Sequence, residues 1–429
     1  MLSAQKAVFL IAIRRAAVLS SLQEGWSRKR SRERDLMPTL MASASSDKLF
    51  ISPPLDPFAS SPFKLQHQQS DTVGSDKRPL LSRIFDIFKS ARPGSDLTRF
   101  QVPVQLNMPK SQLQLYGESV YCHSHDLLEE CAKESTPLER FLKVVAWHIS
   151  TTRLAPFAQA PFNPILGETH HVSCGNLNVI LEQVSHHPPI SALYATNKLA
   201  DLRLQWWHIP SPRFWGNKVE VNIQGKRELW MDAHKEVYEM TSPKLVIRFF
   251  PTFGNEWVGK STIKCNASGL EAELHFHSKP FFGWVSVGRI SGKVVDSSTQ
   301  TCLFDLSGFY NQEVAKQDTK TGDRSVLFDA RVSLANLKAV EVRNRKNVDD
   351  SESLVVWREV MKGIVEKDWE LARHAKHGIE EKQRSLAKER QKQGIQWIPS
   401  NFEHIDGNWQ WRHIGQPVMQ ASLVIPSCH

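Results

Sequence analysis

The six cysteines contain no CxxC pair: Cys122, Cys131, Cys174, Cys265, Cys302 and Cys428 are scattered. That removes zinc-ribbon spacing and thioredoxin-like redox chemistry, and free thiols of this kind fit a reducing compartment. Long apolar runs are missing too. The run Ala7–Ile13 covers seven residues, where a spanning helix needs about 20. With Arg14 and Arg15 behind it and no convincing small-residue cleavage site, it has a trace of transit-peptide character but reads best as part of a disordered extension. There is no GxSxG elbow, the nearest stretch being GWVSVG at 283–288, so a hydrolase of that type is disfavoured. No internal repeat is found. Nor is charge spread evenly. The net charge is +9, but residues 1–34 hold eight Lys/Arg against Glu24 and Glu33 and so carry +6 of it. The remainder is nearly balanced, which speaks against a general nucleic-acid surface.

What is present is enough for a core. Of the 429 residues 41% are hydrophobic, with 13 Trp and 21 Phe, and the length allows one large domain with tails or two ordinary ones. Residues 27–79 are rich in Ser, Pro, Lys and Arg, so the basic stretch 1–79 reads as disordered. In LLSRIFDIFKSAR, residues 80–92, the apolar Leu81, Ile84, Phe85 and Phe88 share one helical face, and Pro93-Gly94 stops the helix. It is either a helix packed on the core or a lid that meets a membrane. A second helix starts behind Thr136-Pro137, with Leu138, Phe141, Leu142, Val145 and Ile149 on one face. From about 170 to 335, short alternating runs are split by Gly, Asn, Pro and Ser, the signature of a large antiparallel sheet or barrel. Residues 352–393 are helical, with an interruption expected near Gly378 and a stop at Gly394. The tail 404–429 carries Trp409 and Trp411 and shows no clear pattern.

One stretch stands out: EQVSHHPPISA, residues 182–192. A strand runs into His186, and two prolines fix its end. Two adjacent imidazoles at such an end are paired donors, and protonation near neutral pH adds charge. They suit a phosphate. A metal would need further ligands, for which His170, His171 and Cys174 have no standard spacing. Ordinary hydrogen bonding at a barrel rim is the commoner fate of such a pair.

EQVSHHPPISA closely resembles the fingerprint of the oxysterol-binding-protein-related family. PFNPILGE (161–168) resembles its second hallmark and GIEEKQR (378–384) its third, in the same order and spacing. The likeness runs from about 80 to 403, and GSDLTRF and PFNPILGETHHVS look most like short plant members. The resemblance implies a mainly β fold with helices: a large, nearly closed antiparallel β-barrel around a hydrophobic tunnel, with an N-terminal helical lid (80–92) and C-terminal helices (352–393). It also implies a non-enzymatic carrier, without cofactor or metal, that holds one lipid at a time. The lipids are phosphatidylinositol 4-phosphate, a sterol or phosphatidylserine. Carried over by motif, His186, His187, Asn163, Lys376, Glu380 and Arg384 form the head-group site, while Leu81, Ile84, Phe85 and Phe88 line the lid. Lys376, Glu380 and Arg384 also follow i, i+4, i+8 and so climb one helix face. Ala160 stands where many members have a phosphate-binding lysine. A lost charge-assisted contact there weakens phosphoinositide binding by about 1–3 kcal/mol, unless Lys143 or Arg153 compensates. The expected setting is cytosolic, with peripheral contact at the endoplasmic reticulum or at membrane contact sites and a docking protein there as a possible partner. A lipid sensor or scaffold is the alternative. An enzyme acting on lipid lacks a nucleophile or metal constellation.

Overall fold

The computed structural model describes Phe88 and residues 91–124, 126–249, 253–279, 287–335 and 337–426. The extension 1–79 and the lid positions Leu81, Ile84 and Phe85 lie outside the described residues.

Three helices come early: α1 (Gln112–Tyr121), α2 (Leu127–Lys133) and α3 (Pro137–Ser150). Each begins where a side chain satisfies an orphan amide. Ser111 and Gln114 form a capping box on α1, Asp126 accepts from Glu129 N on α2, and Thr136 accepts from Glu139 N on α3 with Pro137 in the first turn. The expected amphipathic face of α3 is buried at Phe141, Leu142, Val145 and Ile149.

The strands are β1 (Asn107–Ser111), β2 (Ala160–Phe162), β3 (Thr169–Cys174), β4 (Leu177–His186), β5 (Pro189–Asn197), β6 (Leu202–Phe214), β7 (Lys218–Met231), β8 (Glu236–Met240), β9 (Lys244–Arg248) and β10 (Gly254–Cys265). They continue as β11 (Leu270–Phe276), β12 (Arg289–Asp296), β13 (Cys302–Phe309), β14 (Glu313–Asp318), β15 (Arg324–Asp329), β16 (Glu341–Val342), β17 (Phe402–Ile405), β18 (Asn408–Trp411) and β19 (Leu423–Ile425). Four further helices are α4 (Ala330–Ser333), α5 (Ser353–Val356), α6 (Arg358–Val365) and α7 (Trp369–Gln393).

Fifteen of these strands make one sheet, ordered β15 through β10, then β8 down to β3, then β19 and β16, with β9 beside β7 and β10. One core cluster takes side chains from every strand between β3 and β15 except β9, and from α1 to α3, so the sheet folds around those helices. The expected large antiparallel sheet is there. Among the described residues no ladder joins β15 to β16; α3 packs against β15 and β11 instead. β5 is buried along its whole length. Its alternate residues enter two cores, as the period of two requires: Leu193 and Ala195 face the helices, while Ile190, Ala192 and Tyr194 face Phe402, Trp411 and Val418.

Two expectations are corrected. The C-terminal helix runs unbroken through Gly378, which is exposed and meets nothing within 4 Å where a side chain would be. The break lies earlier, at Lys367, whose φ is +60°, and Asp368, which caps α7. Gly394 ends α7 with φ +66°, as a left-handed cap does. The tail is patterned after all: β17 and β18 pair with each other, and β19 pairs parallel with β3 at Leu423 and Val172. A run of three strand residues is too short to show a period in sequence.

Candidate functional site

A cavity of about 400 Å³ lies where α1, the end of α3, β2 and the inner faces of β6 and β7 meet. This falls within the roughly 300–1,000 Å³ usual for small-molecule sites. Leu115, Phe162, Val221, Ile223, Leu245 and Ile247 give it apolar walls. Among its polar lining are Tyr116, His148, His208 and Arg227.

These four form one patch. The Tyr116 ring meets His208 edge-on at 5.7 Å, and His208 stacks on Trp206 at 4.1 Å. Arg227 Nη1 donates to Thr151 Oγ1 at 3.0 Å, while its Nε is buried without a partner. Burial pushes its pKa down to about 10, against the pull of Tyr116, so it stays charged at neutral pH. His148 is neutral: burial, helped by Arg227, pushes its pKa down to about 3. Its tautomer follows from its neighbour. Ser261 Oγ gives its hydrogen to Thr241 O at 2.6 Å, so it must accept from His148 Nε2 at 2.7 Å. That leaves His148 Nδ1 a bare acceptor, buried and unpartnered. Burial and then Arg227 drive the His208 pKa well below its ordinary value. Sequence reasoning missed this patch, although a signal existed. Arg227 is in phase with buried Leu229 and Met231 on β7, and His208 with buried Leu202, Leu204 and Trp206 on β6. A polar residue on the inward phase of a strand marks an interior site.

The histidine pair sits at the tip of the β4–β5 hairpin, where His186 pairs with Pro189 across the two-residue turn His187-Pro188. The rings are 4.6 Å apart at 53°. His187 is exposed and His186 partly buried, so the pair presents itself outward, beside the cavity wall formed by Asn163, Pro164 and Pro189. Burial and then His187 lower the His186 pKa, while the Pro164 carbonyl opposes them. His186 Nδ1 is buried and unpartnered. The structure thus brings His186 to Pro164, next to exposed Asn163.

Lys376 arrives by another route. Its Nζ donates to Val102 O (2.6 Å) and to Asn107 Oδ1 (2.8 Å), and Asn107 Nδ2 donates to Ala160 O (3.1 Å) and Pro161 O (3.3 Å). Burial lowers its pKa and Glu380 opposes the shift. The one side chain Asn107 therefore ties the α7 lysine to the strand that leads into PFNP. Arg384 reaches Glu381 at 2.7 Å and Glu380 at 3.4 Å on its own helix. Of the two cations named as stand-ins for a lysine at 160, Lys143 faces Glu130 and Glu134, both at 3.6 Å. Arg153 lines the cavity and donates to Cys122 O at 2.5 Å, with Nη1 buried and unpartnered. Phe88, from the expected lid, stacks on Phe214 at 4.9 Å and lies against Phe249 at 5.3 Å, in a cluster at the end of the β6–β7 hairpin. His170 and His171 do not form a metal site. His170 is held by Tyr121 (2.9 Å) and Glu352 (2.6 Å), and His171 by Met419 O (2.9 Å).

The carboxylates of the two hallmarks are clamps. Glu168 is fully buried and accepts from Ser111 Oγ, Ser353 Oγ (2.7 Å), Trp357 Nε1 (2.8 Å) and Ile165 N (3.0 Å). Glu182 accepts from Ser400 N and Asn401 N, both at 2.8 Å, and from Asn401 Nδ2 at 3.0 Å. The segment after α7 is thereby strapped over β4. Trp397 lies so close to Gly167, whose φ is +80°, that a Cβ there would sit 2.5 Å from the indole; only glycine fits.

Comparison with known proteins agrees with this layout. The family model for oxysterol-binding protein matches residues 84–363. The chain is 43% identical over 373 residues to oxysterol-binding protein-related protein 4C of Arabidopsis thaliana, covering 85% of this chain and 97% of that one. It is 44% identical over 371 residues to the related protein 4B of the same plant, covering 85% and 96%. The fold superposes on the Osh1 ORD domain in complex with ergosterol with a TM-score of 0.66 at 20% identity, over 83% of this chain and 92% of that one. The Osh3 ORD of Saccharomyces cerevisiae in complex with PI(4)P gives 0.62 at 20% identity, over 79% and 91%. The chain belongs to the oxysterol-binding protein family.

Proposed function

We propose that this protein is a lipid-transfer protein that carries one lipid, phosphatidylinositol 4-phosphate or a sterol, between membranes. The observation that carries the reading is the cavity of about 400 Å³, walled by apolar side chains and bordered by the His186–His187 hairpin tip. Two relatives of the same fold hold ergosterol and PI(4)P. Burying several hundred Å² of apolar lipid surface at about 25 cal/mol per Å² drives uptake, and the polar groups at the border select the head group. His186 and His187 donate to the 4-phosphate, Asn163 and the Pro164 loop frame the inositol, and Lys376, Glu380 and Arg384 supply charge from α7. Lys376 gives two of its three N–H groups to Val102 O and Asn107 Oδ1 and has the third to offer. The lid is formed by 80–92, with Phe88 as its anchor on Phe214. No catalytic residue is assigned. Membrane contact is peripheral and on the cytosolic side, and no helix among the described residues is long and apolar enough to cross a bilayer.

The test is extraction from mixed liposomes of phosphatidylinositol 4-phosphate, sterol and phosphatidylserine, with the bound lipid identified by mass spectrometry. Replacing both His186 and His187 by Ala is expected to abolish phosphoinositide capture and leave sterol capture nearly unchanged. Equal loss of both by a folded variant would refute the head-group assignment. Extraction of sterol alone by the unaltered chain would mean that Ala160 is not compensated.

A further inference from the structure

The cavity wall has an imbalance of charge that an apolar cargo does not explain. Among the described residues it carries two guanidinium groups, Arg153 and Arg227, and a single carboxylate, Glu118. Glu118 is already paired with Lys110 at 2.5 Å. Neither arginine is hydrogen-bonded to a carboxylate: Arg153 is spent on Ser150 O, Cys122 O and His123, and Arg227 on Thr151 Oγ1. Arg227 is 8% exposed and keeps Nε unpartnered, as Arg153 keeps Nη1. Burying a cation without a counter-charge is costly, and a fold that keeps one has a use for it. A neutral hydroxyl would satisfy an N–H but leave the charge uncompensated; an anion answers both.

We propose that the wall formed by Arg227, His208 and Tyr116, with Arg153 nearby, is an anion site inside the cavity. It takes a lipid whose buried end carries a carboxylate, sulfate or phosphate instead of a neutral hydroxyl. The inference rests on the lipid-carrier reading and names a cargo class for it. The Arg227 guanidinium, which lines the cavity, supplies the charge and a donor. His208 adds a neutral donor from whichever ring nitrogen bears its hydrogen, and Tyr116 adds a hydroxyl. This site is separate from the hairpin tip, which faces outward.

The experiment offers the full chain phosphatidylcholine vesicles doped with two matched pairs: cholesterol with cholesterol sulfate, and oleyl alcohol with oleate. Phosphatidylinositol 4-phosphate is included as a reference, and bound lipid is read by mass spectrometry. The expected result is preference for the anionic member of at least one pair by about tenfold or more, with the two pairs telling a sulfated ring from a fatty acid. Arg227→Met should bring that ratio down at least about tenfold, and Arg227→Lys should keep most of it. Because it removes a buried cation with no carboxylate partner, Arg227→Met should melt no lower than the original chain. Ratios near one in both pairs, with phosphoinositide still captured, would overturn this proposal alone. Failure to capture any lipid would overturn it together with the carrier reading. A variant that melts far lower and loses both members of a pair equally would make Arg227 a structural strut, and the proposal would fall.

Discussion

Removing the Glu182 carboxylate should unfasten one segment and nothing else. The side chain is 1% exposed and receives three hydrogen bonds, from Ser400 N and Asn401 N at 2.8 Å and from Asn401 Nδ2 at 3.0 Å. A hydrogen bond to a charged group contributes roughly 1.5–3 kcal/mol. Three on one carboxylate do not add fully, and the freed amides regain water when the segment lifts, so Glu182→Ala should cost about 3–5 kcal/mol locally. At 1.4 kcal/mol per tenfold, that is a factor of about 10²–10⁴ in the opening equilibrium. Hydrogen exchange followed by mass spectrometry on peptides covering 395–401 measures it. The amides of Ser400 and Asn401 should lose protection by that factor while β4 and β5 keep theirs. Opening should stop before Phe402, which is buried, pairs with Trp411 in the β17–β18 hairpin and has its carbonyl held by Arg412 Nη2 at 3.2 Å. Glu182→Gln retains one acceptor oxygen and should fall between. Unchanged exchange at 395–401 in both variants would refute the clamp. Faster exchange across the whole sheet would show that the carboxylate stabilises the fold as a unit and that the local argument is wrong.

Two further outcomes follow from buried ionisable groups. Glu236 accepts from Arg140 at 2.7 and 2.8 Å and from Tyr238 Oη at 2.6 Å, linking α3 to β8; Glu236→Ala leaves the arginine buried and unpaired and should cost about 3–5 kcal/mol in chemical denaturation, and a loss under about 1 kcal/mol would show the pair to be dispensable. His148 is held neutral with a folded pKa of about 3, below its unfolded value of about 6.5. The unfolded chain therefore binds the extra proton as pH falls, so this contribution is complete above about 6.5 and is lost progressively below it, by about 2 kcal/mol at pH 5. Melting temperature should drop between pH 7.5 and 5, less steeply in His148→Gln; identical slopes would remove His148 from the account.

The sheet was legible because its strands alternate. KVEVNIQG and LRLQWWHI became β7 and β6, the longest pair, with β6 and β7 in register from Leu202–Met231 to Phe214–Val219. α3 was legible from its face and its Thr136 cap. α1 went unread because QLQLYGESV alternates like a strand; its Ser111–Gln114 capping box was the signal to weigh against that alternation. Gly378 misled because a glycine in a helix costs only about 1 kcal/mol relative to Ala, which its good helix-forming neighbours outweigh. At the site, the motifs located the histidine tip and the PFNP loop. They did not reveal which of their residues face a ligand and which hold the chain, since Glu168 and Glu182 find partners in residues far away in sequence. The same limit hid the Arg227 patch: phase shows that a residue points inward, but only packing shows that it has no counter-charge.

The parallel pairing of β19 with β3 also has a consequence for biosynthesis. Ala421 N donates to Ser173 Oγ across 248 residues of chain, and β3 pairs on its other side with β4, its neighbour in sequence. During synthesis from the N-terminus, β3 and β4 emerge early. The other edge of β3 then waits with its amides and carbonyls open until nearly all the remaining strands have been made. An open edge is a template for pairing with another chain. The nascent protein therefore carries an unpaired β3 edge through most of its synthesis, and a chain cut short before Leu423 keeps that edge for good.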